Sequence, residues 1–286
     1  FKQKTAYEIM PSLVGSEMCI RDRLKAVIPA AGLGTRFSPI TNAIPKELLP
    51  VVDTASIQYV VDEACEAGIE EIIIVISEAK ESIRHYFDRL ASTTPARIKY
   101  VYQQEQLGLG HAIFCCSEAI GQEPFAVLLP DDIIYNENGA LTQLLELYRK
   151  VDSSVIAVQR VSSEFISNYG IIEPTFVDDD VMKVIGLIEK PEIEKAPSDF
   201  GIVGRYILTP VILEILSKIS TGALGEIQLT DALAQLVNIQ DLYAVPIQGE
   251  RFDVGNPAGL LKASVVLALR RQDTAAELKD FLEDIL

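Results

Sequence analysis

Leu24-Lys-Ala-Val-Ile-Pro-Ala-Ala-Gly-Leu-Gly-Thr-Arg-Phe-Ser-Pro-Ile-Thr-Asn-Ala-Ile-Pro-Lys-Glu-Leu-Leu-Pro-Val-Val-Asp53 starts apolar and ends in a loop punctuated by proline. Leu24 to Ile28 reads as a buried parallel strand that empties into a turn holding Gly32 and Gly34. Without a Cβ the backbone there can turn sharply and bring its N–H groups close to an anion. Two fixed cations follow, Arg36 at once and then Lys46. Pro39, Pro45 and Pro50 stiffen the loop that carries Lys46, which lowers the entropy lost when a ligand orders it. A strand, a bare-backbone turn and two placed cations describe a site for a polyphosphate. A dinucleotide-binding turn would need a third glycine where Phe37 stands, and a Walker loop would run Gly-Lys-Ser/Thr where Gly34-Thr35-Arg36 stands.

The chain has 286 residues, 49% of them hydrophobic, enough for one large core or two small ones. Its formal net charge of −16 repels phosphate at long range, which argues against a nucleic-acid or anionic-membrane surface. An anionic substrate can still bind where local cations or a metal ion reverse that field. No apolar run approaches the length of a spanning helix. Cys19, Cys65, Cys115 and Cys116 show no metal spacing and read as small core residues in a reducing compartment, so a cytoplasmic location is expected. Phe1 to Arg23 lacks periodicity and the basic-then-apolar layout of a secretory signal; it resembles translated adapter sequence. Residues 1–23 are therefore expected to lie outside the fold, leaving 24–286 as one domain with two lobes.

Gly32-Leu33-Gly34-Thr35-Arg36 with Ile44-Pro45-Lys46-Glu47 resembles the signature of the sugar-nucleotide pyrophosphorylases. The longer run through Leu49-Pro50-Val51-Val52-Asp53 and Ile57-Gln58-Tyr59-Val60 is similar to the bacterial UTP–glucose-1-phosphate uridylyltransferases, and the similarity extends from Leu24 to about Leu269. The resemblance implies an α/β, Rossmann-like nucleotidyltransferase fold: a central, mostly parallel but mixed sheet, helices on both faces and a smaller sugar-binding lobe. It implies transfer of a uridylyl group from UTP to glucose 1-phosphate with Mg²⁺, giving UDP-glucose and pyrophosphate. By the same resemblance Arg36 and Lys46 are catalytic, and Ala30, Ala31, Gly32, Gly34, Gln103 and Gly108 bind the nucleotide. Gly170, Glu189 and Lys190 hold the sugar phosphate, and Asp131 and Asp253 hold the metal.

Several of these positions also have chemistry of their own. Strand, helix and strand alternate through 56–67, 70–76, 81–87, 97–102, 111–120 and 125–129, the rhythm of a doubly wound sheet that binds ligands at the carboxyl ends of its strands. Gln103 leaves one such end, and a carboxamide can pair with the edge of uracil or thymine. Asp131 leaves another, as a hard oxygen ligand suited to Mg²⁺, with Asp132 beside it. His85 and His111 read as structural, since neither has a cysteine, a second histidine or a serine at catalytic spacing. Ser153 to Val161, Asp180 to Glu189 and Asp199 to Leu208 read as further strands, and 258–271 and 274–286 as two helices. Thr230 and Asp231 are expected to cap or orient a helix near the sugar pocket.

Two departures from the family pattern stand out. Tyr102 and Gln104 replace residues that are often basic in relatives, and only Asp88 to Ala96 fills a gap where many relatives carry a long helical insertion. A homo-oligomer stays open, without the relatives' tetramer being assumed. Three other functions remain open: the same chemistry with dTTP, the same chemistry with another hexose 1-phosphate, and a non-catalytic nucleotide-sugar-binding protein.

Overall fold

The computed structural model describes residues 24–178, 180–220 and 225–285; the expectations for residues 1–23, and Cys19 with them, lie outside these. The apolar opening run forms β1 (Lys25–Pro29), and the short strands β2 (Pro50–Val51) and β3 (Thr54–Ala55) lead into helix α1 (Ser56–Glu66). Gly68 follows it at φ +86°, in the left-handed turn that glycine takes most easily after a helix. Next come β4 (Glu71–Ile76), α2 (Glu81–Leu90), β5 (Arg97–Tyr102), α3 (Leu109–Phe114), α4 (Ser117–Ile120) and β6 (Phe125–Leu128). The single helix expected over 111–120 is thus two short ones, broken at Cys115-Cys116, where the Ser117 hydroxyl donates back to the Phe114 carbonyl.

The second half runs β7 (Asp132–Tyr135), α5 (Ala140–Val151), β8 (Ser154–Arg160), β9 (Gly170–Phe176), β10 (Met182–Glu189) and β11 (Phe200–Leu208). It ends with α6 (Val211–Leu216), α7 (Leu229–Leu236), β12 (Leu242–Pro246), β13 (Glu250–Asp253), α8 (Pro257–Arg270) and α9 (Ala275–Ile285).

Nine strands join one mixed sheet in the order β5-β4-β1-β6-β11-β8-β12-β10-β9. The nucleotide-side strands β5, β4, β1 and β6 are all parallel. β11 then enters antiparallel between β6 and β8. The sheet is parallel again from β8 to β12 and antiparallel through β10 to β9. β9 is missed by sequence reading because Pro174 interrupts its pattern. A proline lacks the ladder N–H and is tolerated at an edge, and the partner strand bulges there between Val184 and Gly186.

Alternation explains why the centre of the sheet is buried on both faces. Ile73 and Val75 of β4 pack with Val27, Phe125 and Val127 on one side. Ile72, Ile74 and Ile76 pack with Ala26, Ile28 and Leu128 on the other. Each fully buried aliphatic side chain contributes about 1.5–3 kcal/mol relative to exposure. Parallel strands covered on both faces therefore appear as unbroken apolar runs. The carboxyl ends of β1, β5 and β6 meet at one rim.

Candidate active site

Below that rim lies an open cleft of about 540 Å³, lined by Gly32, Gly34, Lys46, Gln103, Gly108 and Asp131 among others. Its floor is the turn after β1. Ala30 and Ala31 are buried, and the Ala30 amide still donates to the Val75 carbonyl at 2.8 Å. The amides of Gly32, Leu33 and Gly34 have no backbone partner among the described residues. Gly34 sits at φ +69°, and a Cβ there would meet Thr41 at 3.2 Å and Lys46 at 3.4 Å. Together these features leave N–H donors open at the mouth of the cleft.

Lys46 reaches across the cleft, its Nζ 2.7 Å from Asp131 Oδ2, with its side chain 18% exposed. Burial alone would lower the Lys46 ammonium, but the attraction of Asp131 and Glu47 holds it above its usual range. Burial alone would raise the Asp131 carboxyl, but Lys46 holds it below the ordinary carboxylate value. Both groups are charged at neutral pH. Arg36 lies on the following one-turn helix, exposed and with no hydrogen-bond or ion-pair partner among the described residues.

Asp131 and Asp253 are distant in sequence and adjacent in space. The Val254 amide donates to the Asp131 carbonyl at 2.8 Å, where β13 pairs with β7. A Cβ added to Gly255 would lie 3.0 Å from Asp131 Oδ2 and 3.0 Å from Asp253 Oδ1, so the two oxygens are no more than twice that distance apart. Two hard oxygens converging on a space that only a glycine leaves open suit a small divalent ion. No cluster of three or more such groups occurs among the described residues, so the remaining ligands would come from substrate phosphates and water. Asp253 does not cap the next helix: Asn256 does, accepting from the Gly259 amide at 2.9 Å, while Asp253 accepts from the Gly255 amide.

The sugar-side residues form a second group. Gly170 opens β9, and a Cβ on it would lie 3.0 Å from Thr230 Oγ1 and 3.1 Å from Glu189 Oε2. Lys190 takes φ +44°, unusual for a residue with a Cβ, and its Nζ lies 3.3 Å from Glu189 Oε1. Thr230 and Asp231 do not cap α7, whose cap position is Gln228 with no side-chain bond; they lie in its first turn. The preceding segment instead walls the cleft, with the Ile227 amide donating to the Leu107 carbonyl and the Gly110 amide donating to that of Ile227.

Three residues, Lys80, Arg251 and His111, have supporting roles that the sequence did not reveal. Lys80, buried, donates to the Ala30 carbonyl at 2.9 Å and to both oxygens of buried Glu47. It thereby ties the start of the glycine turn to the residue after Lys46. Arg251 donates to Asp132 Oδ1 at 2.8 Å and to the Tyr169 hydroxyl at 2.9 Å, bridging the carboxylate end of the cleft to the sugar-side loop. Asp132 is therefore engaged by Arg251 and by the Gly204 amide. His111, read from sequence as structural only, has its Nδ1 2.9 Å from Gln103 Nε2. Of the cysteines described, all are free thiols and only Cys116 is buried.

A family model described as nucleotidyl transferase matches residues 25–269. The chain is 44% identical over 282 residues to the UTP–glucose-1-phosphate uridylyltransferase YngB of Bacillus subtilis, covering 92% of this chain and 95% of that one. It superposes with a TM-score of 0.83 on a UDP-glucose pyrophosphorylase complexed with UDP-glucose, at 40% identity, covering 87% of this chain and all of that one (100%). A UTP-bound UGPase from Acinetobacter baumannii superposes with a TM-score of 0.82 at 34% identity, covering 92% and 100% of the two chains. The α/β fold expected from the sequence is borne out, and the chain belongs to the nucleotidyl transferase family.

Proposed function

We propose that this protein transfers a uridylyl group from UTP to glucose 1-phosphate, giving UDP-glucose and pyrophosphate. The observation that carries this reading is the meeting of Lys46, Asp131 and Asp253 beside the glycine turn, in a chain 44% identical to a uridylyltransferase. A phosphate oxygen of glucose 1-phosphate attacks the α-phosphorus of UTP. The bond from that phosphorus to the bridging oxygen breaks, and pyrophosphate leaves with the electron pair. The nucleophile is already ionised near neutral pH, so no general base is needed. Positioning and charge neutralisation carry the catalysis.

In this reading the amides of the glycine turn and Arg36 receive the β- and γ-phosphates, while Lys46 neutralises charge growing near the α-phosphate. Asp131 and Asp253 would hold a divalent ion, Mg²⁺ being the ion expected from hard oxygen ligands. When bound, the ion supplies positive charge to the reacting phosphates. Glu189 accepts from sugar hydroxyls, and Lys190 holds the sugar phosphate as a point charge. Among the described residues no helix is long and apolar enough to cross a membrane.

A panel of UTP, dTTP, CTP, ATP and GTP, assayed for pyrophosphate release with glucose 1-phosphate, tests the reading. UTP is expected to give the highest kcat/KM. No release with any nucleotide, alongside measurable UDP-glucose binding, would replace the enzyme with a binding protein.

The sugar side gives a separate test. Gly170→Ala forces a methyl group between Thr230 and Glu189. Overpacking of this kind costs about 1–3 kcal/mol, so KM for glucose 1-phosphate should rise about tenfold while KM for UTP moves less than about twofold. An unchanged KM for glucose 1-phosphate would remove these residues from the sugar site.

A further inference from the structure

Gln103 is 3% exposed, yet it lines the cleft, so its carboxamide has few partners to choose among. The Gly108 carbonyl, 3.2 Å away, can only accept, which requires the Gln103 nitrogen, not its oxygen, to face it. The same nitrogen lies 2.9 Å from His111 Nδ1. Since the amide donates both its hydrogens, His111 Nδ1 must accept, and the ring proton must sit on Nε2. That nitrogen lies 3.7 Å from Cys115 Sγ, a weak acceptor placed to receive it. With both N–H bonds committed, the Gln103 carbonyl oxygen is the end left without a partner among the described residues.

We propose that His111 is a positioning residue for base selection: as its Nε2-protonated tautomer it locks the Gln103 amide so that only an acceptor faces the base. This rests on the reading that Gln103 contacts the base. A fixed acceptor pairs with the N3–H of uracil or thymine. Cytosine presents a lone pair at N3, and acceptor against acceptor is repulsive. An amide free to rotate could offer its NH₂ to cytosine instead, so the lock provides discrimination that Gln103 alone does not. The histidine works because its Nδ1 accepts. Glutamine at 111 can also present an acceptor, whereas leucine of similar bulk presents none.

The test compares the ratio of kcat/KM for UTP over CTP in the wild-type protein, H111L, H111Q and Q103A. H111L is expected to lower the ratio about two- to tenfold, the scale of one hydrogen bond, with KM for glucose 1-phosphate unchanged. H111Q is expected to restore it. A ratio unchanged in H111L but collapsed in Q103A overturns the inference while leaving Gln103 at the base. A ratio unchanged in Q103A removes Gln103 from the base and the inference with it. If H111L does not fold, histidine ¹H–¹⁵N spectra of the wild-type protein decide: a proton on Nε2 of His111 supports the lock, and one on Nδ1 overturns it.

Discussion

Lys46→Ala is expected to lower kcat about a hundred- to a thousandfold, the cost of about 3–4 kcal/mol for removing one preorganised charge from a reacting centre. The ammonium lies 2.7 Å from Asp131 and is held in a loop stiffened by Pro45 and Pro50. Alanine would remove the positive charge and leave Asp131 and Asp253 facing an incoming triphosphate with less to offset them. Lys46→Arg should restore little of the rate, because a planar fork does not reproduce a compact ammonium in a half-buried cleft. Steady-state pyrophosphate release measures the loss, and an unchanged melting temperature shows that the fold survives. A drop of less than about threefold would take Lys46 out of the reacting centre.

The largest effect on stability is expected from Arg205→Ala. Arg205 is 0% exposed, and its Nε and Nη2 grip both oxygens of buried Glu63, at 3.0 and 2.6 Å. Its other N–H groups satisfy the Gly204 and Asp132 carbonyls at 3.0 and 2.8 Å. Alanine leaves a carboxylate buried without its cation and the Asp132 carbonyl without its donor, while the Gly204 carbonyl keeps the Leu129 amide at 2.8 Å. Breaking a buried pair from one side typically costs about 3–5 kcal/mol. For a chain of this size that is a fall in melting temperature on the order of 10 °C. Replacing both partners with apolar residues, Arg205→Met with Glu63→Leu, should cost less than Arg205→Ala alone, because no lone charge is left behind. Urea denaturation of the single and double variants checks both statements; a single variant within about 1 kcal/mol of wild type would show that water reaches Glu63.

Much of the nucleotide half could be read from the chain because its information is local. Val27 and Ile28 lead directly into Gly32 and Gly34, and Gln103 and Asp131 each stand at the end of a short apolar strand. The sugar half was harder. Pro174 disguised an edge strand there, while in the nucleotide half the break at Cys115-Cys116 carried no glycine or proline to announce it. Hardest of all were single polar residues whose meaning lies in a distant partner. Nothing near Lys80 points to Glu47, nothing near Arg251 points to Asp132, and His111 shows no motif until folding sets it against Gln103. A lone charge in a helix or strand has the same local pattern whether it ends in solvent or beneath an active site.

The buried ammonium of Lys80 has a mechanical consequence. By holding the Ala30 carbonyl and the Glu47 carboxylate at once, it draws the neck of the intervening segment shut. That segment is consequently a loop with a pinned base, braced within by the Thr41 hydroxyl donating to the Gly34 carbonyl at 3.1 Å and by buried Phe37. Lys46, next to the pinned Glu47, is thereby anchored through its own neighbour.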